Sequence, residues 1–206
     1  MFNTRETRPL NWIGPAAYPG LTAISVTGDG SCYFHAIAKA FFTPYRTGII
    51  NGVPIDRRTL VRNFRWELAA KLASPSDPSD PESKLVYDTL SGGNLREFAN
   101  FEPQYSLENM IHELRSGGPV DYVYQELISN EIDKDIYILN LREQDVINLS
   151  NNDIFYKNRK AIVLLYMPGH YELVGIQDED NVIRTLFSSD DDYILHLRSR
   201  LQNFTH

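Results

Sequence analysis

Apolar positions recur at helical spacing through the first two thirds of the chain, then alternate or run together in the last third. Leu21–Val26 ("LTAISV") is short and rich in β-formers, and Thr27-Gly28-Asp29-Gly30 breaks it. From Cys32, the residues Phe34, Ile37, Ala38 and Phe41 predict a helix ending near Pro44. A second helix is expected after Asp56 as N-cap, with Leu60, Phe64, Leu68 and Leu72 on its apolar row. A third carries Leu107, Met110, Ile111 and Leu114 and stops at Ser116-Gly117-Gly118. A fourth carries Val120, Val123, Tyr124, Leu127 and Ile128.

The period then shortens. Residues 135–141, 160–167, 170–176 and 181–187 predict strands, with "QDEDN" as the hairpin turn before the last. Ser189 and the three aspartates after it open a closing helix, where acidic residues suit the positive helix end. Helices first and a mostly sequential sheet afterwards give an α+β class, with a small, mostly antiparallel sheet packed between helices. Ser74–Glu82 holds three prolines and no apolar residue. It predicts a surface loop, because the apolar segments before it are too few for a core of their own. One domain over residues 1–206 is expected, with its core at about 21–187 and the closing helix at about 189–202.

Composition narrows the classes. At 206 residues and 42% hydrophobic, the chain can bury about 70% of its unfolded surface. A net charge of −7, with no basic run longer than Arg57-Arg58, argues against nucleic acid as a partner and for a partner with a basic face. No apolar signal core or membrane-length apolar run is present, so no membrane partner is expected. The single cysteine excludes an intramolecular disulfide. Cytoplasmic residence follows, and the glycosylation patterns at Asn148 and Asn203 read as chance.

That cysteine, Cys32, follows a Gly-Asp-Gly turn and opens a helix. Glycines there permit positive φ and close approach of a substrate to backbone N–H groups, which suits a developing oxyanion. The helix end favours a thiolate nucleophile. The plainer reading is a buried cysteine acting as a small hydrophobe. A phosphate cradle is disfavoured by Asp29 and by the lack of a following Lys; calcium is disfavoured by the lack of regularly spaced oxygen ligands.

A thiol nucleophile needs a base, and the chain has five histidines. His206 is terminal, His196 is expected to face solvent, and His112 carries no local signal. His35, one helical turn after Cys32, is an outside candidate whose plainer role is packing. His170 begins a strand after Pro168-Gly169, and alternation places it with Glu172 and Val174 on one face and Tyr171 and Leu173 on the other. Glu172 is thus a candidate to orient the imidazole. The plainer reading is a polar pair at a sheet edge. Asp29 and the loop Asn151-Asn152-Asp153 are alternative third groups. No metal site and no cofactor are expected, since no second His or Cys stands at ligand spacing.

Asp29-Gly30-Ser31-Cys32, followed by Tyr33, Phe34, His35 and Ala36, and Gly169-His170-Tyr171 further on, resemble the two motifs of the ovarian tumour (OTU) family of cysteine deubiquitinases. Residues 118–139 resemble that family's passage between the motifs. The likeness is to the compact, single-domain type, which occurs in viruses as well as in cells, where a viral member acts in host cytoplasm. It implies a papain-like cysteine protease with Cys32 as nucleophile and His170 as general base. It also implies an oxyanion hole from the main chain of Asp29, Gly30 and Cys32. The family commonly has Asn or Asp two residues after the histidine, where this chain has Glu172. The implied partner is ubiquitin, polyubiquitin or a ubiquitin-like modifier, bound by a monomer through an extended tail that carries arginines and ends in two glycines. Two other readings share these residues: a non-catalytic ubiquitin-binding module, and a cysteine protease with ordinary peptide substrates.

Overall fold

The computed structural model describes residue 2 and residues 4–149 and 151–202; His206 and the Asn203 pattern lie outside the described residues, as does Ser150 of the Asn148 pattern. The chain opens with a 3-10 turn at Thr4–Glu6, followed by β1 (Thr7–Pro9) and β2 (Leu21–Ile24). Then come α1 (Cys32–Phe41), α2 (Thr43–Thr47), β3 (Ile49–Ile50), β4 (Val53–Pro54) and α3 (Arg57–Leu72). Residues 85–106, which carry no clear period, form 3-10 turns at Val86–Gly93 and Pro103–Tyr105 around the short α4 (Leu95–Phe98). After α5 (Leu107–Ser116) and α6 (Val123–Glu131) come β5 (Asp135–Asn140), β6 (Asp145–Val146) and α7 (Asn152–Phe155). The last elements are β7 (Ala161–Met167), β8 (His170–Gln177), β9 (Ile183–Arg184) and α8 (Asp192–Gln202).

The main sheet runs β1-β2-β8-β7-β5-β6, with β9 also paired to β8. All pairs are antiparallel except β5 with β7, which run parallel. The sheet is therefore not sequential. β2, from before the helices, inserts beside β8, and a crossover containing α7 joins the parallel pair. Both faces are covered. Ile136, Ile138, Ile162, Leu164 and Leu173 pack against α1, α3, α5 and α6. Their neighbours Tyr137, Leu139, Val163, Leu165 and Val174 pack against α8 and the N-terminal segment. Strands buried on both faces read as continuous apolar runs, which is the pattern of "AIVLLYM".

Local signals placed several ends correctly. Asp56 caps α3, its carboxylate accepting from the N–H groups of Arg58 (3.3 Å) and Thr59 (3.0 Å). Gly117 ends α5 in the left-handed region at φ +84°. The Ser74–Glu82 segment is a surface loop closed by a Pro75–Leu85 bridge. Other ends shift. The fourth helix starts at Val123, because the Asp121 carboxylate takes the Val123 N–H at 3.0 Å and ends the preceding loop there. The closing helix starts at Asp192, with Asp191 accepting from Tyr193 N–H at 3.0 Å.

Two expectations fail. The strand expected over 181–187 shrinks to Ile183–Arg184, because the Thr185 hydroxyl turns inward to the Ala40 carbonyl (2.8 Å) and Phe187 pairs instead with Ala161. On α3 the buried row is Val61, Arg65, Leu68, Ala69 and Leu72, so Leu60 and Phe64 lie at its margin and a charged residue sits within it.

Candidate active site

Cys32 is the first residue of α1 and is 8% exposed. Gly30, two residues earlier, has φ +82°. Ser31 occupies the N-cap position but makes no side-chain cap, so the first amides of α1 stay unclaimed. The Ser31 N–H is taken by Asp29 Oδ1 at 3.1 Å. The N–H groups of Asp29, Gly30 and Cys32, the expected oxyanion donors, carry no hydrogen bond among the described residues.

His170 is the first residue of β8, half-buried. Its ring lies against the turn: a Cβ built on Gly28 would stand 3.8 Å from His170 Cε1 and 3.9 Å from Nδ1. Cys32 and His170 line one cleft of about 410 Å³, walled on the other side by Pro119, Val120, Asp121 and Tyr122. Tyr33, Tyr166 and Tyr171 form the aromatic floor, with Tyr33 and Tyr171 edge to face at 5.0 Å. Burial pushes the Tyr33 phenol well up, so it remains an uncharged wall. A larger cavity of about 880 Å³, lined by Lys39, Arg46 and Arg57 among others, includes neither Cys32 nor His170.

His35 lies elsewhere. It is 1% exposed and sits in a relay in which Nδ1 is 2.7 Å from Tyr45 Oη and Nε2 is 3.1 Å from Asp29 Oδ2. Desolvation pushes the Asp29 carboxyl up, but hydrogen bonds from Ser31 and His35, with the charges of His35 and Arg58, hold it below the usual range. An ionised Asp29 only accepts, so Nε2 donates to it. Nδ1 of the same ring meets the Tyr45 hydroxyl, and burial raises that phenol to about 12. Asp29 and His35 therefore brace the turn that carries Cys32. His196, expected toward solvent, is half-buried, its Nε2 3.0 Å from the Pro15 carbonyl.

Glu172 is placed differently from its expected role. Its Oε2 accepts from Arg8 Nη2 at 2.8 Å, and no hydrogen bond joins it to His170. Asn151, Asn152 and Asp153 do not line the cleft.

Arg65 was missed. It is 1% exposed and has no carboxylate in salt-bridge contact among the described residues. It donates from Nε to Leu114 O (2.9 Å), from Nη2 to Glu113 O (2.7 Å) and Gly118 O (2.5 Å), and from Nη1 to Ser31 Oγ (3.2 Å). Desolvation lowers the affinity of this group for its proton, and the carbonyls at the end of α5 supply the negative end that a cation there needs. Arg65 thus ties the turn before Cys32 to Gly118, next to Pro119 of the facing wall. The readable signal was a charge within an apolar helical row.

No protein-family model and no curated protein matches the sequence. Solved structures do. An OTU domain in complex with ubiquitin matches with a TM-score of 0.55 at 16% identity, covering 90% of this chain and 85% of that one. A Hazara virus OTU bound to ubiquitin (14% identity; 77% and 82% covered) and an OTU deubiquitinase from Wolbachia pipientis (11%; 88% and 98%) each have a TM-score of 0.41. With its α+β order and mixed, mostly antiparallel sheet, the chain has an OTU-like fold.

Proposed function

We propose that the chain is a cysteine deubiquitinase that hydrolyses isopeptide bonds at the ubiquitin C-terminus. The observation that carries this reading is the shared cleft: the only thiol of the chain, at a helix start with open amides, faces the same space as His170. The fold's likeness to an OTU domain in complex with ubiquitin supports the choice of substrate.

In this reading His170 takes the Cys32 proton as Sγ attacks the carbonyl carbon of the terminal glycine. The main-chain N–H groups of Asp29, Gly30 and Cys32 receive the oxyanion. Collapse breaks the C–N bond, and the proton on His170 goes to the departing lysine amine. Water then attacks the thioester, releasing the ubiquitin carboxylate and restoring the thiol. The aromatic cleft takes the extended tail, and Asp121, in its wall, meets a tail arginine. Glu172 would have to leave Arg8 to orient His170. A reducing, cytoplasmic setting keeps the thiol available, and among the described residues no helix is long and apolar enough to cross a membrane.

The Arg8–Glu172 pair favours one second reading, a ubiquitin-binding module that does not cut. A ubiquitin probe with an electrophilic C-terminus separates the two. Covalent labelling of wild type and none of Cys32→Ala supports the hydrolase. Tight non-covalent binding without labelling supports the module, and neither result excludes ubiquitin as the partner.

A further inference from the structure

A second pocket, of about 390 Å³, lies behind the nucleophile turn and shares Asp29 and Ser31 with it. Four arginines line it: Arg58 and Arg62, one turn apart on α3, the buried Arg65 between α3 and α5, and Arg115 at the end of α5. Arg62 and Arg115 are exposed and form no ion pair among the described residues. Arg58 approaches Asp29 at 3.6 Å. The only carboxylates in the lining are Asp29 and Asp56, and both are engaged. Asp29 accepts from Ser31 and contacts His35, while Asp56 caps α3 and accepts from the Thr59 hydroxyl at 2.7 Å.

Such a concentration of guanidinium groups runs against a chain of net charge −7. Like charges gathered around one cavity repel one another, a cost relieved by an anion placed between them. The start of α3, at Asp56–Thr59, and the start of α1, at Ser31, both border the pocket, but the Asp56 and Asp29 carboxylates already take their amides, which leaves the guanidinium groups to attract the anion. The hydroxyls of Thr59 and Ser116 at the rim already donate to Asp56 (2.7 Å) and to the Glu113 carbonyl (3.3 Å), so the donors open to an anion are guanidinium N–H groups. Planar, forked guanidinium groups match a tetrahedral oxyanion better than ammonium groups would.

We propose that this pocket binds a phosphate-class oxyanion, held by Arg58, Arg62 and Arg115 over the fixed positive charge of Arg65. Because Ser31 belongs to both the pocket and the nucleophile turn, occupancy stiffens the turn that carries Cys32. The site does not depend on the hydrolase reading, and its test needs no turnover.

The full chain is melted in sodium phosphate or pyrophosphate, with ionic strength balanced by NaCl, beside the double variant Arg62→Gln/Arg115→Gln. Gln keeps a good helix former at two exposed positions. At about a hundredfold excess over Kd, wild-type Tm should rise by about 5–10 °C and the variant should not respond. Calorimetry of each single variant with pyrophosphate should show binding weakened on the order of tenfold, as loss of a charged hydrogen bond does. A phosphoserine dipeptide forms a further arm. A larger shift with pyrophosphate assigns a free phosphate compound, and a larger shift with the dipeptide assigns a phosphorylated side chain. No rise with any phosphate, an equal rise in the double variant, or a rise only with a glutamate-rich peptide would overturn the proposal.

Discussion

Gly30 and Gly28 stand two residues apart in the same turn, yet the structure sets opposite consequences for adding a methyl group to each. At Gly30 the backbone has φ +82°, and a Cβ would meet the Gly117 carbonyl oxygen at 3.1 Å. The left-handed conformation costs a non-glycine residue about 1–2 kcal/mol. The contact adds to this, because Gly117 is fixed as the cap of α5 and Gly118 O is held by Arg65. Restricting the unfolded chain returns about 0.4–1 kcal/mol, which does not cover the loss. For a chain of this size each kcal/mol moves Tm by about 2–4 °C, so Gly30→Ala should lower Tm by roughly 2–8 °C.

Under the hydrolase reading, the turn relieves the strain by moving, which carries the Gly30 and Cys32 amides away from the oxyanion. Loss of one such donor costs about 10²–10³ in kcat. At Gly28 the nearest atoms to a new Cβ are His170 Cε1 and Nδ1 at 3.8 and 3.9 Å, ordinary contact distances, and φ is not left-handed. Gly28→Ala should hold Tm within about 2 °C and leave kcat/KM within a few-fold. Both variants are read by thermal unfolding and by hydrolysis of ubiquitin carrying a C-terminal fluorophore. Equal behaviour of the two, or a Gly30→Ala protein with native Tm and native kcat, refutes the account of this turn.

Four further outcomes can be checked. Under the hydrolase reading, Cys32→Ala abolishes turnover and His170→Ala lowers kcat by on the order of 10³-fold, while His35→Ala mainly lowers Tm; a reversed order for the two histidines in folded proteins removes His170 as base. Glu172→Ala should lower kcat/KM by roughly 10- to 10³-fold, whereas Arg8→Ala, which frees the carboxylate from a half-exposed pair worth at most about 1 kcal/mol, should raise it up to about fivefold; a fall with Arg8→Ala would show instead that the pair is the productive arrangement. KM, more than kcat, should rise with NaCl if Asp121 meets a tail arginine, and Asp121→Asn should flatten that slope. Burial pushes the Glu126 carboxyl up despite its bond from Ser91 N–H, so the folded chain keeps that proton to higher pH than the unfolded chain and stability falls as pH rises through that window; Glu126→Gln should therefore raise Tm at pH 7 and change it little at pH 4, and the opposite pattern would contradict the burial argument.

Features fixed by neighbours in sequence were legible in the chain. Asp56 caps α3 and Gly117 stops α5 because each acts within one helical turn of itself. The alternation of Leu173 and Val174 between the two core layers follows from the strand period alone. What escaped was decided across the fold. The parallel pairing of β5 with β7 depends on a crossover that no local pattern announces. Thr185 leaves its strand for the Ala40 carbonyl, a partner 145 positions away.

Glu172 shows the same division within the candidate site. Its face on β8 followed from alternation, but its partner comes from β1, three residues long and ending in proline, too short to register as a strand. Arg65 is the instructive case, because its signal was local and its meaning was not. A guanidinium in an apolar helical row costs more than the hydrophobic contact it displaces unless its donors are met. Four acceptors from α5, from the loop after it and from Ser31 meet them here. Two of those acceptors adjoin the cleft: the Ser31 hydroxyl stands next to Cys32, and the Gly118 carbonyl precedes Pro119 of the facing wall. A buried charge that packing alone does not need therefore points to the place where backbone geometry has to be held, and in this chain that place is the turn before Cys32.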